Sequence, residues 1–187
     1  VQKLVRSADL PMVIDADGLS ALAGKTDLLR KSSGEIILTP HPGEMARLCG
    51  TAVEEIRRNR VETAREFARK HGVILVLKGA RSLVASGAGE VFINPTGNPG
   101  MASGGTGDIL TGMIGGFLAQ GFSGLDAARL GVYLHGLCGD FVAHQKGQRG
   151  MAAMDLAEEA PRVLRALASG EGRVGDFPFP LRTEICY

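Results

Sequence analysis

The sequence predicts an α/β fold, a three-layer sandwich in which helices flank a mostly parallel central sheet. Short apolar strands alternate along the chain with amphipathic helices, which is typical of this class. One strand, residues 73–77, is apolar throughout, as expected for a strand that is covered on both faces. The 187 residues are 44% hydrophobic, which is enough for one packed core.

Helices and strands alternate in the first part of the chain. The first helix is predicted by an amphipathic stripe that consists of Val1, Leu4, Val5 and Ala8. Apolar strands are predicted at 12–14 and 36–38, with a helical stretch at 19–31 between them. A charged amphipathic pattern predicts a long helix at 53–70, which the cations and the glycine of 70–72 would end.

A hairpin and three helices are predicted in the second part. Strands at 83–85 and 91–93 flank a glycine-bearing loop, a pattern typical of a hairpin. The glycine-rich segment that follows leads into helices at 106–120 and 125–144. A last helix is expected to begin at Asp155.

The charge balance argues against an electrostatic partner surface. Lysine and arginine number 21, aspartate and glutamate number 20, and the formal net charge is +1. A nucleic-acid or membrane surface would need an excess of one sign. Apolar runs are far shorter than the roughly 18 residues of a membrane helix. We therefore expect neither nucleic acid nor a membrane as a partner.

Cysteine and arginine patterns indicate ordinary structural roles. The three cysteines are widely spaced, so we expect neither a disulfide framework nor a zinc site. This cysteine usage predicts a location in a reducing cytoplasm. Arg57, Arg58 and Arg60 have glutamates at helical spacing, which predicts a salt-bridged face in solvent. His71, His135 and His144 are interpreted as structural, since the latter two lie on opposite helix faces.

Glycine is concentrated in one segment. Nine of the 27 glycines lie between Gly97 and Gly121, and those around Thr106 directly precede a helix. Bare backbone and a helix N-terminus together favour an anion, and Asp108 in the first turn would serve as a base in phosphoryl transfer. A flexible loop followed by a helix with a dipole-favoured aspartate explains the same pattern. A Walker P-loop and a dinucleotide fingerprint are both absent from the segment.

Three further candidates follow predicted strands. His41 stands between two prolines with Glu44 three residues on, which indicates either a ligand site at the strand end or a simple helix entry. Lys78 and Arg81 follow the buried strand and could reach phosphates or simply be solvated. Asp15, like Asp17, could bind metal or substrate or cap a helix.

Long segments carry a family resemblance. They are Val-Ile-Asp-Ala-Asp-Gly-Leu, Thr-Pro-His-Pro-Gly-Glu-Met, Lys-Gly-Ala-Arg-Ser and Gly-Asn-Pro-Gly-Met-Ala-Ser-Gly-Gly-Thr-Gly-Asp-Ile-Leu. Together they resemble the ribokinase-like superfamily, and more closely the bacterial ADP/ATP-dependent NAD(P)H-hydrate dehydratases. The resemblance implies a ribokinase-like sandwich over residues 1–168, followed by a tail at 169–187. Members of this family have a larger domain, so we expect further strands before Val1.

The resemblance implies a role for each candidate. Asp108 would be the catalytic base, and Gly105, Thr106 and Gly107 would form the anion hole. The hydrated nicotinamide nucleotide would be contacted by His41, Asp15 and Asp108. Glu44 would organise Mg²⁺ through water. The adenine nucleotide would be bound by Lys78, Gly79, Ala80, Arg81, Ser82, Asn98, Pro99, Gly100, Met101, Ala102, Ser103, Gly104, Gly105, Thr106 and Gly107.

The implied reaction is a repair of damaged cofactor. ADP or ATP would phosphorylate the ring hydroxyl of (6S)-NADHX or NADPHX, and loss of phosphate would restore NADH or NADPH. A homo-oligomer, and fusion or pairing with an NAD(P)H-hydrate epimerase, are compatible with the resemblance. A vitamin-precursor kinase of the same superfamily is the alternative, but such kinases usually carry Asn where this chain has His41. A nucleotide-binding module without turnover is disfavoured because Asp108 and Glu44 are both present.

Overall fold

The computed structural model describes residues 1–169. The strands in this range are β1 Met12–Ile14, β2 Ile36–Leu38, β3 Ile74–Leu77, β4 Leu83–Ala85 and β5 Val91–Ile93. The α-helices are α1 Gln2–Ser7, α2 Asp17–Ser20, α3 Pro42–Cys49, α4 Val53–Arg58, α5 Arg60–His71, α6 Thr106–Ala119, α7 Gly124–Lys146 and α8 Ala153–Ala168. Short 3₁₀ helices span Thr26–Lys31, Pro99–Met101 and Gln148–Gly150.

The five strands form one mixed sheet in the order β1-β2-β3-β4-β5. The β1–β2 and β2–β3 pairs are parallel, whereas β3–β4 and β4–β5 are antiparallel. The prediction of a mostly parallel sheet is therefore wrong for these strands. Loop 78–82 is too short for the crossover that a parallel β4 would need, so the chain must turn back on itself. The predicted hairpin of β4 and β5 is confirmed.

Helices cover both faces of the sheet, and β3 shows this most clearly. Its side chains alternate, so that Leu75 and Leu77 pack into one core cluster and Ile74 and Val76 into another. On the first face the sheet packs against α5, and on the second it packs against α6 and α7. Helix α8 lies outside α6 and α7 and closes a third apolar cluster with them.

Two predicted helices are interrupted. The stretch predicted as helical at 19–31 is instead the short α2, a turn at Gly24 with φ +71°, and a 3₁₀ helix. The helix predicted at 53–70 is divided at Asn59, which has φ −120° and ψ 37° and so leaves the helical region. Each break lets a short helix turn its apolar side onto the first face of the sheet.

The two long helices and the C-terminal helix agree with prediction to within a few residues. Helix α8 begins at Ala153 rather than at Asp155, whose carboxylate accepts the N–H of Ala152 from inside the first turn. Of the predicted tail at 169–187, all but Ser169 lies outside the described residues. Within residues 1–169, no helix combines the length and apolar character that crossing a membrane requires.

Candidate active site

A lysine and two carboxylates meet where β1, β2 and β3 end. The Lys78 Nζ atom lies 2.8 Å from Asp15 Oδ1 and 3.8 Å from Glu44 Oε2. The side chains are only 19%, 10% and 9% exposed, respectively. Parallel strands bring their carboxyl ends to one edge of the sheet, which explains why residues 63 positions apart meet here.

Asp15 is the most completely bonded member of this cluster. Its Oδ1 also accepts the Ala16 N–H at 2.9 Å, and its Oδ2 accepts the Thr111 hydroxyl of α6 at 3.0 Å. Burial raises the pKa of Asp15, but Lys78 and these two donors outweigh that effect and hold the pKa below its ordinary value. Asp15 is therefore ionised and oriented by three donors. Its neighbour Ala16 has φ 47° and ψ −117°, a strained conformation for a residue with a side chain.

Helix α6 begins directly against the cluster. A Cβ atom built on Gly107 would lie 3.4 Å from Lys78 Nζ and 3.7 Å from Asp15 Oδ2. A glycine at this position therefore allows the first turn of α6 to approach the charged groups. Asp108, the next residue, is exposed in the same first turn, where the helix dipole favours a carboxylate. Thr111 was not singled out from the sequence, although its spacing of three from Asp108 places it one turn further along the helix.

His41 and Glu44 form the entry to α3. The His41 Nδ1 atom accepts the N–H groups of Gly43 at 3.0 Å and Glu44 at 3.3 Å, while Glu44 Oε2 accepts the His41 N–H at 2.7 Å. This is a reciprocal cap, with Pro42 at the first helical position. The helix-entry interpretation is thus correct for the local structure. The imidazole remains half exposed, and its role toward a substrate stays a prediction.

Replacing His41 with asparagine separates these two roles. Asparagine is among the best N-cap residues, so we expect the midpoint of urea unfolding to change little. If the imidazole contacts the substrate, KM for the hydrated nicotinamide nucleotide rises roughly tenfold, the effect of losing one hydrogen bond of about 1.4 kcal/mol. Steady-state kinetics and urea unfolding monitored by circular dichroism measure the two effects. An unchanged KM would restrict His41 to capping.

The glycine-rich segment reaches α6 through Gly105, which has φ +88° and is the N-cap residue. The Thr106 hydroxyl lies 2.9 Å from both the Met101 and the Ser103 carbonyl oxygens, so its proton is directed into the loop. Thr106 therefore rigidifies the segment through its side chain, and an anion would be met by backbone N–H groups of the first turn.

Helix α7 holds the start of the same segment. The Asp140 carboxylate accepts the Gly97 N–H at 2.8 Å and the Asn98 Nδ2–H at 2.9 Å. Thr96 donates its hydroxyl to the Tyr133 carbonyl at 3.0 Å. Gly136 lies so close to the loop that a Cβ atom there would be 2.2 Å from Thr96 Oγ1. Asp140 and Gly136 were missed, because only tertiary contact distinguishes them within an apolar helix.

The His135 side chain forms a hydrogen bond with the first turn of α6. Its Nε2 lies 2.8 Å from the Thr106 carbonyl oxygen. Burial lowers the pKa of His135 to about 4. The hydrogen bond to the Thr106 carbonyl opposes this shift, and the positive charge of Lys78 adds a smaller lowering effect. The imidazole is therefore neutral at pH 7 and donates its Nε2–H to Thr106.

Acid should weaken the fold through His135. Because its folded pKa lies below the unfolded value of about 6.5, the unfolded chain binds the proton first, and stability falls as the pH drops from about 6.5 toward 4. This group alone should lower the free energy of unfolding by about 2 kcal/mol between pH 7 and pH 5. His135→Gln keeps an N–H donor but does not titrate, so urea unfolding should show a smaller pH dependence in the variant. Equal pH dependence in both proteins would contradict the assignment.

Loop 78–82 joins the cluster to the hairpin. Arg81 is exposed with φ +57° and donates through Nη1 to the Pro95 carbonyl at 2.6 Å, and the Ser82 hydroxyl donates to the Gly79 carbonyl at 3.1 Å. The loop is thereby tied to the chain that precedes the glycine-rich segment. Lys78 itself points into the carboxylate pair, whereas the sequence grouped it with the nucleotide-binding loop.

The prediction of a salt-bridged arginine face is correct for exposure only. Arg57 and Arg58 are exposed, as expected, but within residues 1–169 no ion pair joins them to a glutamate, and Glu62 pairs with Arg65 instead. Arg60 instead lies half-buried and directs its guanidinium to backbone carbonyls of loop 78–82. The sequence could not show this difference. The prediction assumed one continuous helix, but Asn59 breaks the helix just before Arg60 and so turns this side chain in another direction.

The acidic residues fit a magnesium ion that arrives with phosphates. No cluster of three or more potential protein ligands is found within residues 1–169. Both carboxylates of the cluster already bond to Lys78 or to backbone N–H groups. Mg²⁺ commonly takes one or two carboxylates, water and substrate phosphates, and Glu44 at the edge of the cluster suits such an outer role. Asp17 is the first residue of α2, and the N-cap residue of this helix is Ala16.

Comparison with solved structures defines the class of this fold. The chain superposes on a ribokinase-like superfamily protein from Enterococcus faecalis with a TM-score of 0.69 and 27% identity, covering 88% of this chain and 65% of the other. The ADP/ATP-dependent NAD(P)H-hydrate dehydratase of Bacillus subtilis, co-crystallized with ATP/Mg²⁺, gives a TM-score of 0.79 at 41% identity over 86% of this chain and 56% of that one.

Sequence comparison then identifies the family. The profile described as NAD(P)H-hydrate dehydratase matches residues 1–162, and the chain belongs to that family. It is 52% identical over 167 residues to a bifunctional NAD(P)H-hydrate repair enzyme of Moorella thermoacetica, covering 89% of this chain. It is 41% identical over 161 residues to the ADP-dependent (S)-NAD(P)H-hydrate dehydratase of Bacillus subtilis, covering 86% of this chain. The chain spans 32% of the first relative's length and 56% of the second's.

Proposed function

We propose that this chain carries the phosphoryl-transfer site of an ADP- or ATP-dependent dehydratase that repairs (6S)-NADHX and NADPHX. The observation that carries the proposal is the start of α6 against the Lys78, Asp15 and Glu44 cluster, with Asp108 exposed beside it. Backbone N–H groups, a lysine and an exposed carboxylate at one place are what phosphoryl transfer to a hydroxyl requires. Family membership provides independent support.

Asp108 acts as the base in the first step. The ring hydroxyl of the hydrated nicotinamide attacks the terminal phosphorus of ADP or ATP, a new P–O bond forms, and the bond to AMP or ADP breaks. Asp108 accepts the hydroxyl proton. The N–H groups of Gly105, Thr106 and Gly107 at the N-terminus of α6 form the anion hole and stabilise the charge on the transferring phosphoryl group. Lys78 adds a positive charge at the same edge.

Elimination completes the repair. The C–O bond of the phosphorylated ring breaks, phosphate leaves with the bonding electrons, and a ring proton is lost to restore NADH or NADPH. Phosphate is a far better leaving group than hydroxide, which is the chemical reason to consume a nucleotide in a dehydration. The products are NADH or NADPH, phosphate, and AMP or ADP.

The nucleotide lies between two loops in this proposal. Loop 78–82 and segment 98–107 supply the contacts, while His41 and Asp15 contribute to the nicotinamide side. When Mg²⁺ accompanies the nucleotide, it neutralises phosphate charge, and Glu44 holds it through water. The Bacillus subtilis dehydratase was co-crystallized with ATP/Mg²⁺, which supports a nucleotide and magnesium site in this proposal.

The finer features of the whole protein belong to the same proposal. We infer a ribokinase-like three-layer sandwich whose complete sheet is largely parallel, with residues 1–168 as part of it. We expect a cytoplasmic enzyme that works as a homo-oligomer and is fused to or paired with an NAD(P)H-hydrate epimerase. The similarity to bifunctional repair enzymes supports this last point.

A spectrophotometric assay tests the activity. The longest natural protein that carries this sequence is purified and mixed with (6S)-NADHX and either ADP or ATP, and the absorbance band of NADH is followed. We expect NADH to form only with nucleotide and in equal amount to the phosphate released. Phosphorylation of a vitamin alcohol without NADH formation would instead support a kinase, and nucleotide binding without turnover would indicate a binding module.

A further inference from the structure

Arg60 binds three backbone carbonyls, one at the end of β3 and two in loop 78–82. Its Nη1 donates to the Ala80 carbonyl oxygen at 2.6 Å, and its Nη2 lies 3.2 Å from the Arg81 carbonyl oxygen and 3.5 Å from that of Leu77. A planar guanidinium offers several donors in a rigid arrangement, so one side chain can orient several peptide groups at once. Burial lowers the pKa of Arg60, in keeping with a partly desolvated position.

The loop is shaped around this guanidinium. Gly79 has φ +145°, and a Cβ atom there would lie 3.2 Å from Arg60 Nη2. A side chain at position 79 would therefore press on the guanidinium as well as strain the backbone. The close approach shows that Arg60 belongs to the loop structure rather than to the solvent face of α5.

Anchored carbonyls orient the neighbouring N–H groups. In a trans peptide the C=O and N–H bonds point in opposite directions. Leu77 illustrates the rule, since its carbonyl faces Arg60 while the N–H of Lys78 donates to Pro40 on the other side at 2.8 Å. By the same geometry, the N–H groups of Arg81 and Ser82 point away from Arg60. Neither of them donates a backbone hydrogen bond to another of residues 1–169.

We propose that Arg60 is a positioning residue that orients the N–H groups of Arg81 and Ser82 toward the adenine nucleotide. The proposal rests on the proposed function for the identity of the ligand. Arg60 itself does not touch the nucleotide. Its removal should therefore weaken nucleotide binding more than the chemical step, because the base, Asp108, stands on a different element.

Variants at Arg60 and a neighbour test the proposal. Arg60→Met removes the guanidinium but keeps an extended side chain, Arg60→Lys keeps one charge without the planar donors, and Arg57→Met removes an exposed arginine as the matched control. We expect Arg60→Met to raise the ADP dissociation constant and KM by roughly tenfold, the cost of losing hydrogen bonds to a charged donor, with kcat within about threefold. Arg60→Lys should fall between Arg60→Met and the unchanged protein, and Arg57→Met should change neither value by more than about twofold.

Amide NMR gives a readout that does not depend on the proposed function. The residual dipolar couplings of the Arg81 and Ser82 N–H groups report their orientation, and they should change in Arg60→Met while those of α6 stay the same. If the unchanged protein fails to bind ADP, the proposed function fails, and a change of couplings confined to 78–82 still supports the positioning role. Unaltered couplings at Arg81 and Ser82, or ADP affinity in Arg60→Met equal to that of Arg57→Met, would overturn the inference.

Discussion

Replacing Asp108 with asparagine is expected to lower kcat by about 10²- to 10⁴-fold, the range found when a general base is lost. Asparagine keeps the shape of the side chain but cannot accept the hydroxyl proton. The N–H groups and Lys78 that would meet the phosphates are unchanged, so the ADP dissociation constant should change by no more than about threefold. Steady-state kinetics and isothermal titration with ADP measure the two quantities.

Asp126→Asn is the matched control for this variant. Asp126 is also an exposed aspartate in the first turn of a helix, but it stands on α7 beside Ser123 and Arg129. Its replacement should cost a little helix stability and leave kcat unchanged. Near-normal turnover in Asp108→Asn, or an equal loss in both variants, would show that Asp108 is not the base.

Replacing Gly136 with alanine is expected to cost about 1–3 kcal/mol of stability and to weaken nucleotide binding. The new Cβ atom would lie 2.2 Å from Thr96 Oγ1 and 2.8 Å from the Thr96 carbonyl carbon. Backbone cannot yield as a flexible side chain does, so either α7 or the loop must move. Movement of the loop would disturb the hydrogen bonds from Gly97 and Asn98 to Asp140, at the start of the proposed nucleotide segment.

Gly116→Ala provides the opposite expectation within the same fold. Gly116 is exposed on α6, and within residues 1–169 no atom outside the adjoining turns of the helix lies within 4 Å of the Cβ position. Alanine there should stabilise the protein by about 0.5–1 kcal/mol through helix propensity. Because the chain has no tryptophan, urea unfolding is best followed by circular dichroism. Equal stabilisation by both alanines would contradict the close packing of α7 against the loop.

Elements that depend on local pattern could be predicted from the sequence. Continuous apolar runs defined β2 and β3, a glycine-bearing loop defined the β4–β5 hairpin, and long apolar stretches defined α6 and α7. The breaks at Gly24 and Asn59 could not be predicted in the same way, because they depend on how the short helices reach the sheet. The mixed sheet direction follows from the length of loop 78–82, which the prediction did not weigh.

The candidate site was predictable where topology alone brings residues together. Asp15, Glu44 and Lys78 each follow a strand, so the rule for strand ends indicated a common edge. The ion pairs between them, and the contact of Thr111 with Asp15, depend on side-chain placement that no spacing reveals. Arg60 shows most clearly what residue spacing cannot predict. Its helical spacing predicted a side chain in solvent, whereas its guanidinium bonds to the backbone of loop 78–82.

Isotope labelling tests whether the ring hydroxyl is phosphorylated before it leaves. NADHX carrying oxygen-18 in this hydroxyl is prepared by hydrating NADH in labelled water and is then turned over with ADP in ordinary water. The phosphate released is examined by mass spectrometry. We expect each phosphate formed with NADH to carry one labelled oxygen, because the C–O bond breaks after the phosphoryl group has joined that oxygen. Unlabelled phosphate, with the label in water, would show that the hydroxyl leaves without being phosphorylated.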